Sequence, residues 1–161
     1  MIPPESIPIL PGTPAPEFSL PALDTDGEQR TVTLSQVTAE SRVVLIFYVD
    51  DGMPVCTREL AVFAQEFETL AKAEVRVFGL NTNGIGSHAK FQERDHFPFP
   101  LISDFYGEAV KAFGLWDANE GKSRRAVVVI EKGGAVMFVL PHFNPGNVNA
   151  VVEVFQALGL T

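Results

Sequence analysis

Residues 41–60, SRVVLIFYVDDGMPVCTREL, change their hydrophobic period partway along, and this change constrains the fold more than any other feature of the chain. Up to Val49 almost every position is apolar, the pattern of a strand covered on both faces. Beyond Pro54 the apolar residues Leu60, Phe63, Ala64, Phe67, Leu70 and Ala71 recur at helical spacing, which predicts one helix of about five turns. Pro54 suits a first helical position, where its missing N–H would have had no partner. A buried strand feeding a helix belongs to a sheet with helices on its faces.

The flanking segments extend this reading. EFSLPALDTDGEQRTVTL gives two short runs around Thr-Asp-Gly, a hairpin preceded by a proline-rich, extended arm. EVRVFGLN reads as a strand, GSHAKFQERDHF as a short helix, FPLISD as an extended piece and GEAVKAFG as a helix. RRAVVVIEKGGAVMFVL gives a second hairpin around Glu-Lys-Gly-Gly, and NVNAVVEVFQALGL a final amphipathic helix. A βαβ half followed by a ββα half is a thioredoxin-like plan: an α/β fold with a central mixed sheet flanked by helices and an N-terminal hairpin extension. Residues 1–161 read as one domain, with no repeat or linker to divide them.

Charge narrows the partners. Twelve Lys and Arg against 20 Asp and Glu give a net charge of −8, which repels nucleic acid and anionic membrane. No apolar run approaches the roughly 20 residues that span a bilayer, and the first segment lacks the basic and apolar parts of a secretory signal. A single cysteine makes no internal disulfide, so a reducing cytoplasm is the expected compartment.

That cysteine, Cys56, falls in the first turn of the predicted helix, just after the C-terminal end of a central strand. Free N–H groups and the helix dipole favour a thiolate there, and open α/β sheets place their ligands at that end. Free cysteines are otherwise most often inert core residues, so position is what makes Cys56 a candidate nucleophile. Dithiol exchange is excluded by spacing, because Glu59 stands where a second sulfur would be. His88, His96 and His142 have no ligand spacing with one another or with Cys56, so no metal is expected and they read as solvated or structural.

GTPAPEFSL, VVLIFYVDDGMPVCTREL, FGLNTNGIGSHAKFQERDHFPFPLISD, AVKAFGLW and RRAVVVIEKGGAV, taken in order, resemble the peroxiredoxins of the AhpC/TSA type, especially their bacterioferritin-comigratory (Q-type) branch. The resemblance implies a thiol peroxidase without a cofactor, in which Cys56 attacks hydrogen peroxide or an organic hydroperoxide and becomes a sulfenic acid. It also implies that Arg125 holds the thiolate and the peroxide, and that Val49, Met53, Pro54 and Val55 form the substrate site. An arginine entering an apolar strand near that helix end would lower a thiol pKa. Strand alternation does not choose between Arg125 and Arg124, because both faces of the strand can be covered.

Two positions depart from the family pattern Pro-x-x-x-Thr-x-x-Cys: Val49 stands at the proline and Met53 at the threonine. A valine still shields the thiolate, whereas a thioether has no proton to donate. Without a second cysteine, an external thiol such as thioredoxin or glutathione must reduce the sulfenic acid, in a one-Cys mechanism. The resemblance allows a homodimer and brings Trp116 near the pocket. Thr57 and Glu59 read as first-turn residues that suit the dipole. The changes at Val49 and Met53 also admit a weakened redox sensor or a binding scaffold.

Overall fold

The computed structural model describes residues 2–160. The proline-rich arm is extended apart from a 3-10 turn at Pro4–Ser6, and it lies back on the body. Ile9 N donates to Phe113 O at 3.0 Å and Gly12 N to Val136 O at 2.8 Å.

The elements then run β1 Ser19–Leu23, β2 Gln29–Thr33, α1 Leu34–Thr38, β3 Arg42–Phe47, α2 Pro54–Gln65, α3 Phe67–Lys72, β4 Val75–Asn81, α4 Ile85–Asp95 and β5 Leu101–Ser103. They continue with α5 Glu108–Ala112, the two-residue strands β6 Trp116–Asp117 and β7 Lys122–Ser123, β8 Ala126–Ile130, β9 Val136–Leu140 and α6 Val148–Ala157. Seven strands form one sheet in the order β2-β1-β5-β4-β3-β8-β9, and β6 pairs with β7 apart from it. The sheet is mixed, since β3 runs parallel to β4 and antiparallel to β8. This is the thioredoxin-like α/β architecture expected, with the N-terminal hairpin β1–β2 added at one edge.

The unbroken apolar run of β3 is explained by two cores. Val44 and Ile46 point into one cluster with Leu60 and Phe63 of α2, while Val43, Leu45 and Phe47 point into another with Val110 and Phe113. Every residue from Val43 to Tyr48 has zero exposure. Burying each such side chain contributes about 1.5–3 kcal/mol, so β3 is the centre of the fold.

The single helix expected from Pro54 to Ala71 is instead two. Glu66, at φ −101° and ψ 12°, ends α2 and opens α3. A straight rod of about five turns diverges from a twisted sheet; the bend brings Leu70 back to full burial beside β4 and leaves Ala71 outside. Sequence reading also passed over α1 and the β6–β7 hairpin, whose five-residue and two-residue lengths are too short to show a period.

One pairing sets up the site. Phe47, the last residue of β3, lies opposite Ala126, the first of β8. The loop that leaves β3 toward α2 and the residues that enter β8 therefore share one end of the sheet. Among the described residues no helix is long and apolar enough to cross a membrane.

Candidate active site

Met53 is the N-cap residue of α2, Pro54 its first residue and Cys56 its third. The first helical hydrogen bond runs from Thr57 N to Met53 O at 2.8 Å, so the amides of Val55 and Cys56 precede the ladder and stay free of it. Cys56 Sγ accepts from Val49 N at 3.4 Å and donates to Met53 Sδ at 3.8 Å. The two positions that depart from the family pattern thus both touch the sulfur.

The sulfur itself is not open to solvent: Cys56 has zero exposure. Its place on the helix explains this. Cys56, Glu59, Leu60 and Phe63 share one stripe, and all four are buried. Above them opens a cleft of about 690 Å³, lined on the helix side by Val49, Met53, Val55 and Arg58 and on the other by Asp117, Ser123, Arg124, Arg125 and Phe143. Of the residues the sequence proposed for substrate, Val49, Met53 and Val55 line it; Pro54, exposed at the helix start, does not. Trp116 also stays away, with its carbonyl holding Ser6 Oγ and its ring under Lys111 Nζ at 4.5 Å, and the neighbouring Asp117 lines the cleft instead.

Arg124 and Arg125 both line the cleft, and Arg125 is the one whose charge reaches Glu59, on the inward stripe with Cys56. Val127 and Val129 of β8 face the cluster that contains Cys56, while Ala126 and Val128 face the other. Arg125 immediately precedes β8 and so stands at the mouth of that strand. Its backbone is anchored there by Phe143 N, which donates to Arg125 O at 2.8 Å.

Glu59 is not the first-turn residue suiting the dipole that the sequence suggested, because α2 begins at Pro54 and its first turn holds no acid. Its side chain is fully buried and neither carboxyl oxygen has a hydrogen-bond partner. Desolvation by burial pushes its pKa well above the usual carboxylate value, the nearby Cys56 adds to the rise, and the charge of Arg125 opposes it. The neutral acid is favoured. Helical spacing carried the signal, because Glu59 is one residue short of Leu60 on the same inward stripe.

The loop before Met53 is pinned by a polar network. Asp51 Oδ1 accepts from Tyr48 OH at 2.7 Å, and Asp51 Oδ2 accepts from Ser87 Oγ at 2.7 Å and His88 Nδ1 at 2.6 Å. His88 Nε2 donates to Ile102 O at 3.0 Å. Burial raises the Asp51 pKa, but the hydrogen bond and charge of His88 and the hydroxyls of Tyr48 and Ser87 outweigh it, so the net shift is downward. Burial and the Asp51 charge push the Tyr48 phenol well up, so it remains a donor. Tyr48 packs over Gly79, where a Cβ would lie 3.3 Å from Cε1 of Tyr48 and 2.8 Å from Cδ2 of Leu101. Sequence reading placed His88 among solvated or structural residues; it is structural, whereas His96 is exposed and His142 is exposed at the cleft.

These elements match known proteins along most of the chain. The AhpC/TSA family profile matches residues 11–139. "Peroxiredoxin Bcp" of Escherichia coli K12 is 32 % identical over 151 residues, covering 90 % of this chain and 94 % of that protein. "Peroxiredoxin Q, chloroplastic" of Triticum aestivum is 33 % identical over 150 residues, covering 91 % of this chain and 67 % of its own length. In fold, the reduced 2-Cys peroxiredoxin of Plasmodium vivax superposes with a TM-score of 0.83 at 22 % identity, covering 94 % of this chain and 97 % of that one. The peroxidoxin BcpB of Mycobacterium tuberculosis gives 0.77 at 28 %, covering 93 % and 94 %. With a free cysteine at the head of α2 and an arginine at the mouth of β8, the chain belongs to the AhpC/TSA family and is a peroxiredoxin, an oxidoreductase of the thiol peroxidase class.

Proposed function

We propose that the protein reduces hydrogen peroxide or organic hydroperoxides at Cys56 by a one-Cys mechanism, with an external thiol completing turnover. The observation that carries this reading is the seat of the sulfur: third residue of α2, 3.4 Å from Val49 N, and against Met53, which lines a cleft with Arg125. The Cys56 thiolate attacks one peroxide oxygen, the O–O bond breaks, and the leaving alkoxide or hydroxide takes up a proton. Cys56 is left as a sulfenic acid. The Arg125 guanidinium favours the thiolate and stabilises charge on the departing oxygen. Because burial keeps Glu59 neutral, that positive charge is not spent on a carboxylate. Val49, Met53 and Val55 form the wall against which the substrate rests.

The sulfenic acid is then attacked by a thiol from outside, thioredoxin, glutathione or another small thiol, to give a mixed disulfide and water. A second thiol releases Cys56. We place this chemistry in a reducing cytoplasm and read residues 1–161 as one domain built on one central sheet. Phe105 and Tyr106, exposed and edge to face at 5.3 Å, support a homodimer.

A second reading, a redox sensor or scaffold with slow turnover, is favoured by the zero exposure of Cys56 and the thioether packed on it. Mixing reduced protein with hydrogen peroxide or an organic hydroperoxide while trapping the sulfenic acid with dimedone decides between them. Peroxidase function requires Cys56 to be trapped far faster than an ordinary free thiol. A rate no greater than that assigns the protein to the second reading.

A further inference from the structure

We infer that Met53 is a second redox site, which takes the oxidising equivalent from Cys56 and stores it as methionine sulfoxide. This rests on the reading of Cys56 as the peroxide-reactive sulfur and adds an internal outlet for the oxidised state.

Three observations converge on it. The two sulfurs are in contact, with Met53 Sδ 3.8 Å from Cys56 Sγ. The Met53 backbone and the Cys56 sulfur are fixed: Met53 O accepts from Thr57 N at 2.8 Å and Thr57 Oγ1 at 3.1 Å, and Cys56 Sγ accepts from Val49 N at 3.4 Å. Access is unequal, since Met53 is half-buried and lines the cleft while Cys56 is wholly covered and does not. A peroxide is small enough to pass Met53. A bulky thiol reductant must first displace it, whereas the thioether is already in place. Reacting groups held at contact distance gain effective molarities of about 10⁵ M or more.

The chemistry balances. After peroxide has converted Cys56 to the sulfenic acid, the Sδ lone pair attacks Sγ. The S–O bond breaks, hydroxide leaves and is protonated to water, and an Sγ–Sδ bond forms with positive charge on Sδ. Water then adds to Sδ, the S–S bond breaks with its electron pair returning to Sγ, and two protons are released. The net result is that one hydroperoxide becomes an alcohol or water, Met53 becomes its sulfoxide, and the Cys56 thiol is restored. Methionine sulfoxide reductases reverse the modification. The sulfoxide is polar, so it would also change the wall of the cleft.

The test treats reduced full-length protein with one equivalent of hydrogen peroxide, without thiol, in water enriched in heavy oxygen, and maps the products by peptide mass spectrometry with Met137 as internal reference. Met137 is a half-buried core methionine away from the cleft. The expected result is Met53 sulfoxide carrying the heavy oxygen of the solvent, formed more than about a hundredfold faster than at Met137, with free Cys56 regained. In Cys56→Ser, Met53 should oxidise no faster than Met137. Sulfoxide at Met53 carrying only peroxide oxygen, or forming as fast in Cys56→Ser, overturns the relay. So does dimedone-trapped Cys56 with Met53 unmodified, an outcome that leaves the peroxidase reading standing. Failure of Cys56 to react at all removes both readings together.

Discussion

His88 Nδ1 of α4 and Asp51 Oδ2, in the loop that precedes Met53 and α2, meet at 2.6 Å, with the imidazole wholly buried. Ile102 O, which can only accept, faces the other ring nitrogen, and the lowered pKa of Asp51 keeps its carboxylate ionised. The contact is a buried hydrogen bond to an ionised carboxylate. A hydrogen bond to a charged group is worth about 1.5–3 kcal/mol. Asp51→Asn is expected to lower unfolding stability by about that amount at neutral pH, measured by urea denaturation. Since the folded-state pKa of Asp51 lies below its ordinary 3.8, the wild type holds this contribution above that pH and loses it as pH falls through the lower folded value. The acid limb of the stability curve should flatten in Asp51→Asn.

Glu59 has the opposite sign. Its folded-state pKa is raised above the ordinary 4.5, so the native state binds a proton that the unfolded chain releases. Stability then falls as pH rises from about 4.5 toward the folded value. Glu59→Gln removes that titration. Its unfolding stability should fall less from about pH 5 to about pH 8 than that of the wild type. Denaturation midpoints compared at both pH values check this, and an equal decline in the two proteins would mean that the buried carboxyl finds a partner.

Sequence was a good guide wherever a period had room to repeat. β3, β4 and the β8–β9 hairpin, together with α4 and α6, lie where the apolar patterns put them, because burial on one or both faces writes itself into every second or fourth residue. The site was less legible for two reasons. Cys56 was weighed by its distance from the helix start, although its spacing from Leu60 and Phe63 already turned it inward. Glu59 was weighed by its charge. Sequence could not choose between Arg125 and Arg124, since both line the cleft and only the fold shows which charge reaches Glu59. The Asp51–His88 pair, from loop and α4, has no sequence signature, since only the crossover from β4 brings the two together.

Arg125 and Arg124 should separate cleanly in kinetics. Preorganised charge at a reacting centre is worth about 2.7–4 kcal/mol, or roughly a hundred to a thousandfold in rate. Arg125→Met, which keeps the length of the side chain, is expected to slow sulfenic acid formation by about that factor. Arg124→Met should slow it less, since Arg125 and not Arg124 is the cation that acts on Glu59 beside Cys56. Rapid-mixing measurement of peroxide consumption distinguishes them, and an equal loss in both would place the charge requirement in the cleft as a whole.

Met53 is where the chain leaves the family pattern while still touching the nucleophile. Met53→Thr should act in two ways. It supplies a hydroxyl to hydrogen-bond the charged sulfur or the peroxide, an interaction worth about 1.5–3 kcal/mol. It also shortens the side chain that lies between Cys56 and the cleft. At 1.36 kcal/mol per tenfold, the first effect alone raises the peroxide rate by roughly ten to a hundredfold. Met53→Leu keeps the apolar cover without the sulfur or the hydroxyl, so it should react with peroxide at close to the wild-type rate. A threonine variant no faster than the leucine variant would mean that Val49, Val55 and Arg125 already form a pocket shaped around the methionine.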